Sequence, residues 1–160
     1  MALASPRSSR SRRVYVDTSV WVAVLANEPD APRLMRDLEA ETGQLLTSAW
    51  TRTEFASALA IKARRKEMTQ DGVSALLREF DLWVSGGVAV MPVDSSDFAQ
   101  AAQLCENVAS RLRAGDALHL SVAKRCLATH IFSLDTDMLN NAIALGMSRM
   151  DHDDLEKPSR

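Results

Sequence analysis

Four carboxylates fall where a chain of alternating strands and helices would gather them: Asp17, Glu54, Asp116 and Asp135. Asp17 ends the apolar run Val14-Tyr15-Val16, and Asp135 follows Ile131-Phe132-Ser133-Leu134. Glu54 lies early in a predicted helix, and Asp116 at the predicted start of another, after Ala114-Gly115. Strand ends and helix starts share one rim of a parallel sheet, the rim at which such folds bind ligands. Four acids on one rim repel one another unless they are protonated or neutralised by a cation. A hard divalent metal with oxygen ligands is the natural cation. Two such ions can clamp a phosphodiester and polarise a water for in-line attack. The pattern therefore predicts metal-dependent phosphoryl chemistry, with helix N-termini at Thr18 and Gly115 able to attract phosphate oxygens.

The elements that must position these groups alternate throughout. Strands are expected at about 14–17, 44–47, 88–91 and 130–134, with a final short strand at 147–150. Val20 to Leu25 carry the first helix. A break at Glu28-Pro29-Asp30 follows, and Asp30 can cap a second helix with Leu34, Met35 and Leu38 as its stripe. Ser48 can cap a third helix, whose Phe55, Leu59 and Ala63 recur at spacing four. Thr69–Trp83, Asp94 or Ser95 to Val108, Gly115–Ala128 and Asp135–Leu145 complete the helices. Strands separated by helices imply βαβ units, right-handed crossovers and helices on both faces of a mainly parallel sheet. The fold class is α/β, a three-layer α/β/α sandwich.

The chain has 160 residues, 46% hydrophobic and 25% charged, which fits one ordinary domain. Its net charge of −2 conceals an asymmetry. Arg7, Arg10, Arg12 and Arg13 lie in the first 13 residues with no acid, leaving 15 basic against 21 acidic residues beyond them. Residues 1–12 read as a flexible Arg/Ser-rich arm, 13–150 as the folded domain and 151–160 as a polar tail. The arm mimics the composition of a transit peptide but lacks amphipathic patterning and a secretory apolar core. No stretch has the roughly 20 apolar residues of a membrane span. Cys105 and Cys126 fall in apolar helical patterns, as small buried hydrophobes with reduced thiols in the cytoplasm. No Cys or His pair has zinc-ligand spacing.

Each acid alone has a plainer explanation. Asp17, Asp116 and Asp135 suit helix N-termini, by capping or through the dipole, and Glu54 suits an exposed flank. Those explanations are separate, whereas one metal site accounts for all four.

The ordered set of motifs also resembles a known family. Val14-Tyr15-Val16-Asp17-Thr18-Ser19-Val20, Thr53-Glu54-Phe55, Gly115-Asp116-Ala117-Leu118-His119 and Ser133-Leu134-Asp135-Thr136-Asp137 resemble, in order, the motifs of PIN-domain ribonucleases. Within these, the chain is similar to the VapC-type toxins of bacterial toxin–antitoxin pairs. The resemblance covers about residues 13–150 and implies a PIN-like fold. It also implies that Asp17, Glu54, Asp116 and Asp135 are the metal-site acids. Ser19 matches the position whose hydroxyl orders water at the metal, Thr18 is its companion, and Asp137 is a supporting acid. Mg²⁺ or Mn²⁺, an RNA substrate, a cognate antitoxin and a second copy of the chain are further implications. His119 reads as a packed or solvent-facing histidine, and His130 and His152 carry no signal.

Arg52, Lys62, Arg64, Arg65, Arg111 and Arg113 are the candidates to track a phosphate backbone. Lys62 to Lys66 also suit a helix C-terminus. Trp21, Trp50 and Trp83 are not interleaved with basic residues and read as core or interface. Leu76, Leu77 and Trp83 are candidates for a dimer or antitoxin groove. The leading expectation is a Mg²⁺-dependent endoribonuclease held inactive by an antitoxin. A housekeeping PIN nuclease of RNA processing and a non-catalytic RNA- or protein-binding module are the alternatives. A receiver domain would want a paired acid by the first strand and a lysine near the last, and a dehalogenase-type phosphatase an acid at position 19, where Ser19 stands. Neither a Gly-rich phosphate loop nor a Gly-x-Ser-x-Gly elbow occurs.

Overall fold

Valine, isoleucine and aromatic residues fit a pleated, buried surface, and the short runs rich in them become strands in a computed structural model that describes residues 11–150. β1 is Arg13–Val16, β2 Gln44–Ser48, β3 Ala89–Met91, β4 His130–Phe132 and β5 Ser148–Arg149. The helices are α1 (Thr18–Leu25), α2 (Ala31–Ala40), α3 (Ala49–Arg64), α4 (Gln70–Ser85), α5 (Ser95–Glu106), α6 (Ala114–Arg125) and α7 (Thr136–Ala144). Every pairing is parallel, in the order β3-β2-β1-β4-β5. The expected helix through Val108 stops at Glu106, and a single 3-10 turn covers Val108–Ser110. There Asn107 is extended and its side chain caps Ala109 N–H, the local competition that ends helices at asparagine.

Alternation along the strands sends side chains to two faces. Val14, Val16 and Phe132 join Trp21, Leu34, Phe55, Leu59 and Phe80 beneath α1–α4. Tyr15, Leu46 and Ile131 join Leu120, Val122, Met138 and Ala142 beneath α6 and α7. The expected sandwich is therefore present, with parallel strands throughout. α3 illustrates the link between core and rim: Phe55 and Leu59 are fully buried, so Glu54 is fixed beside an anchor whose truncation to alanine would cost about 3–5 kcal/mol.

Trp21 is buried against the edges of Phe80 and Trp83. Leu76, Leu77 and Trp83 are partly buried against this same core. Cys126 is buried as expected, but Cys105 is exposed. It lies one turn after Ala101 and lines an apolar pocket with Trp50, Phe98 and Leu118. Arg12 and Arg13 are part of the fold: Arg12 pairs with Glu41 at 2.8 Å, and Arg13 opens β1. Residues 1–10 and 151–160, hence most of the expected arm, the tail and His152, lie outside the described residues. No helix among the described residues is long and apolar enough to cross a membrane.

Candidate active site

The strand order reverses between β1 and β4. In open parallel sheets that switch point opens a crevice beyond the carboxyl ends of the strands. Asp17 follows β1 and Asp135 follows β4, so both fall at the crevice. The Asp17 N–H continues the ladder by donating to the Phe132 carbonyl at 2.9 Å. α3 and α6 deliver Glu54 and Asp116 to the same place. All four acids line one cleft of about 460 Å³, with Thr18, Ser19, Glu28, Ser57 and the apolar Val22, Ile61 and Leu134.

Asp17 is 5% exposed. Its Oδ2 accepts from Ser19 Oγ at 2.6 Å, Ser133 Oγ at 3.0 Å and Ser19 N–H at 3.2 Å. Ser19 Oγ in turn accepts from Leu134 N–H at 3.0 Å, and Ser133 Oγ from Asp135 N–H at 3.1 Å. Two serines thus stitch the loops after β1 and β4 together around one carboxylate oxygen. Asp135 is exposed and caps α7, its Oδ1 accepting from Met138 N–H at 2.8 Å. Capping and cleft lining coexist in this residue.

Glu54 Oε2 accepts from Thr18 Oγ1 at 2.7 Å and lies 2.5 Å from His119 Nε2. Burial works to raise this carboxyl, but His119 and Thr18 outweigh it and hold it below the ordinary carboxylate range. Asp116 is shifted the other way. Burial raises it first, and the negative charges of Asp135, Asp17 and Glu54 raise it further, against one hydrogen bond from the Arg113 N–H. Gly115 makes room for the meeting of α3 and α6. A β-carbon there would stand 2.5 Å from Glu54 Oε1, so clearance rather than backbone conformation calls for glycine.

His119 is 1% exposed, so of the two expectations it is the packed histidine rather than the solvent-facing one, and it also hydrogen-bonds into the cleft. Its Nδ1 lies 2.8 Å from the Tyr15 hydroxyl, and its Nε2 3.1 Å from Thr18 Oγ1 and 3.5 Å from Asp17 Oδ1. Asp17, Glu54 and His119 offer ligand atoms within 4.8 Å of one another. The sequence signal was present, one helical turn after Asp116, but a histidine has many other uses. Ser133 and Glu28 also escaped the sequence reading. Glu28 had been legible only as part of a chain break.

The basic candidates lie around rather than in the cleft; no lysine or arginine lines it among the described residues. Arg52 pairs with Asp81 of α4 at 3.0 Å. Lys62 pairs with Glu28 at 2.8 Å and Glu67 at 3.7 Å, and the bond to Glu28 holds its ammonium above the usual lysine range. Arg111 pairs with Asp137 at 3.4 Å, and Asp137 is not among the residues that line the cleft. Arg64, Arg65 and Arg113 are exposed.

The donor set suits a hard cation: oxygen ligands dominate, and Asp116 feels the uncompensated charge of the other three acids. Comparison with known proteins agrees with this organisation. The family model of the PIN domain matches residues 14–144. A VapC ribonuclease of Mycobacterium bovis is 33% identical over 90 residues, 56% of this chain and 61% of that relative. The ribonuclease VapC30 of Mycobacterium tuberculosis matches equally, so the chain spans about 61% of the length of these curated relatives. Among solved structures, VapC20 of Mycobacterium tuberculosis, described as a sarcin-ricin loop cleaving toxin, aligns over 80% of this chain and 94% of its own, with a TM-score of 0.66 and 19% identity. VapBC2 of Rickettsia felis, bound to a promoter DNA fragment, aligns over 87% and 99%, with a TM-score of 0.62 and 13% identity. FitAcB of Neisseria gonorrhoeae aligns over 86% and 96%, at 0.62 and 16%. With the PIN model spanning β1 to α7 and the fold shared with these structures, this protein belongs to the PIN domain family.

Proposed function

We propose that this chain is a metal-dependent endoribonuclease that hydrolyses RNA phosphodiester bonds, and the toxin of a toxin–antitoxin pair. The observation that carries the reading is the convergence of four carboxylates, from four separate segments, on one cleft at the sheet's switch point. The similarity to VapC ribonucleases supports the RNA substrate, and the VapBC and FitAcB neighbours support a cognate antitoxin. Mg²⁺ is the proposed ion, with Mn²⁺ as a substitute, and a homodimer working in the cytoplasm is part of the reading.

Asp17, Glu54, Asp116 and Asp135 are the residues that would hold the ion or ions. A divalent cation bound there supplies Lewis-acid polarisation of the phosphodiester and acidifies water. The protein's own contribution is preorganisation. Ser19 and Ser133 fix Asp17 in one orientation through Oδ2. Thr18 and His119 hold Glu54 ionised. Asp116, raised first by burial and then by its acidic neighbours, is a group whose ionisation a nearby positive charge favours. The N-termini of α1 and α6 face the cleft through Thr18 and Asp116 and present partial positive charge to phosphate oxygens. Arg111 and Arg113, on the approach to α6, and Arg64 and Arg65, at the end of α3, are the proposed contacts to flanking RNA. Engagement by Arg52, Lys62 or Arg111 requires exchange of their present carboxylate partners.

The test is cleavage of total RNA by purified, antitoxin-free protein, with Mg²⁺ or Mn²⁺ against EDTA and Asp17→Ala alongside. Metal-dependent fragments that disappear in the variant are expected. Equal cutting by wild type and variant would sink the assignment of the acids.

A further inference from the structure

We propose that His119 is a positioning residue that clamps Glu54 through Nε2, within a hydrogen-bonded chain that runs from the buried Tyr15 through His119 to Glu54 at the cleft. This rests on the metal-site reading above and assigns the cleft a part that the four acids do not supply. The ring is 1% exposed and held at both nitrogens: Nδ1 by the Tyr15 hydroxyl at 2.8 Å, Nε2 by Glu54 Oε2 at 2.5 Å. Its other contacts at Nε2 are Thr18 Oγ1 at 3.1 Å and Asp17 Oδ1 at 3.5 Å.

A carboxylate without a proton only accepts, so the contact with Glu54 requires the proton on Nε2. That nitrogen is then a donor and not a lone pair available to a metal. Thr18 contributes a second donor to the same oxygen at 2.7 Å. Oε2 is thereby engaged on the protein side. Oε1 lies against Gly115, where a β-carbon would stand 2.5 Å from it. Both oxygens of Glu54 are thus placed before any cation arrives. The groups that order a metal-binding side chain typically change affinity or activity 10–100-fold when removed.

The geometry explains two residue choices that the acids alone do not. A histidine in the buried stretch Ala117–Ala123, whose other polar side chain, Ser121, donates to the Ala117 carbonyl, would leave polar nitrogens unpaired without Tyr15 and Glu54. A glycine inside the first turn of α6 would cost helix stability relative to alanine without the clearance it gives Glu54.

The experiment follows the Mn²⁺ dependence of the thermal midpoint and of RNA cleavage in wild type, His119→Ala, His119→Gln and Gly115→Ala, with circular dichroism as the check on folding. His119→Ala is expected to raise the Mn²⁺ midpoint about 10–100-fold and to lower kcat more than it raises KM. His119→Gln, whose amide can donate from near the Nε2 position, should recover most of the loss. Gly115→Ala removes no polar group and favours the helix, so a raised Mn²⁺ midpoint in that variant reads out displacement of Glu54 rather than unfolding. Nitrogen-15 spectra of His119 in the wild type should show Nε2 protonated before and after Mg²⁺ addition. Loss of that proton on Mg²⁺ binding would make His119 a ligand and overturn the clamp. A folded His119→Ala protein with the wild-type Mn²⁺ response would overturn it too, leaving the metal site intact. A wild-type protein indifferent to Mn²⁺ in both midpoint and cleavage would remove the metal site and the clamp together.

Discussion

Two acid clusters in this molecule have opposite electrostatics. At the joint between α5 and α6, Asp97 is 2% exposed and receives Arg125 Nε and an Arg125 amino group, each at 2.8 Å. The same guanidinium reaches Asp94 and the Pro92 carbonyl. Burial works to raise the Asp97 carboxyl, yet Arg125 and the Asp94 N–H hold it below its ordinary value. At the cleft, Asp116 has three acids around it and no side-chain cation among the described residues, and burial together with those acids raises its carboxyl. The first cluster is complete within the chain and secures a joint. The second is left with excess negative charge that an external cation can satisfy. Burial of an acid therefore says little about function; the presence or absence of an internal counter-charge is what separates a brace from a site.

The largest expected effect is at the cleft. Asp116→Asn should lower cleavage by about a thousandfold while the metal-free thermal midpoint stays level or rises, since a repelling charge is gone. A cleavage rate within tenfold of wild type would break the contrast. At the brace, Arg125→Ala leaves Asp97 buried without its partner and should cost about 3 kcal/mol, read by urea unfolding, with metal response unchanged in the surviving folded protein. A loss below the error of the measurement would mean that the brace is decorative.

Acid titration sharpens the same comparison in metal-free protein. Asp97 has a folded pKa below its unfolded one, so its stabilisation is present above an ordinary value of 3.8 and is lost as pH falls through the lowered value. Asp116 has a folded pKa above 3.8, so its ionisation costs stability that grows as pH rises through the raised value. Thermal midpoints in EDTA should therefore show one acid-range slope that Asp116→Asn flattens on the high-pH side, and another that Arg125→Ala flattens below it. Identical profiles in all three proteins would refute both assignments.

Smaller effects separate capping from charge. Asp135→Asn keeps a favoured N-cap and should hold stability while weakening metal response; Asp135→Ala should lose a further 1 kcal/mol or so as the cap goes. Smallest of all is Arg52→Ala. Its exposed pair with Asp81 should contribute less than about 1 kcal/mol, so any salt-dependent rise in KM would come from RNA contact instead.

Much of the fold was legible because the local signals agree. The apolar runs and the Asp17 and Asp135 caps fall at element boundaries. The four acids were legible as well, because strand ends and helix starts of a parallel sheet share a rim. Less legible were residues whose meaning depends on distant partners. Ser133 matters through Asp17, 116 positions away, and His119 through Glu54, 65 away. Glu28 looked like a turn residue, but lines the cleft and holds Lys62, which the sequence offered as a helix-end or RNA-contacting lysine and not as the partner of an acid. Cys105 looked buried because its neighbours are apolar, but the pocket it lines with Ala101 leaves it exposed.

The sequence by itself determined the order of elements, the parallel sheet and the placement of Asp17, Glu54, Asp116 and Asp135 on a common rim, because periodicity, capping and β-propensity act over a few residues. Only the tertiary structure decided which charges are neutralised. Arg125 meets Asp97, Lys62 meets Glu28, Arg52 meets Asp81, and no lysine or arginine lines the cleft among the described residues. That distinction arises from distances of a few ångströms between residues far apart in the chain, where Coulomb interaction and burial set each carboxylate's character.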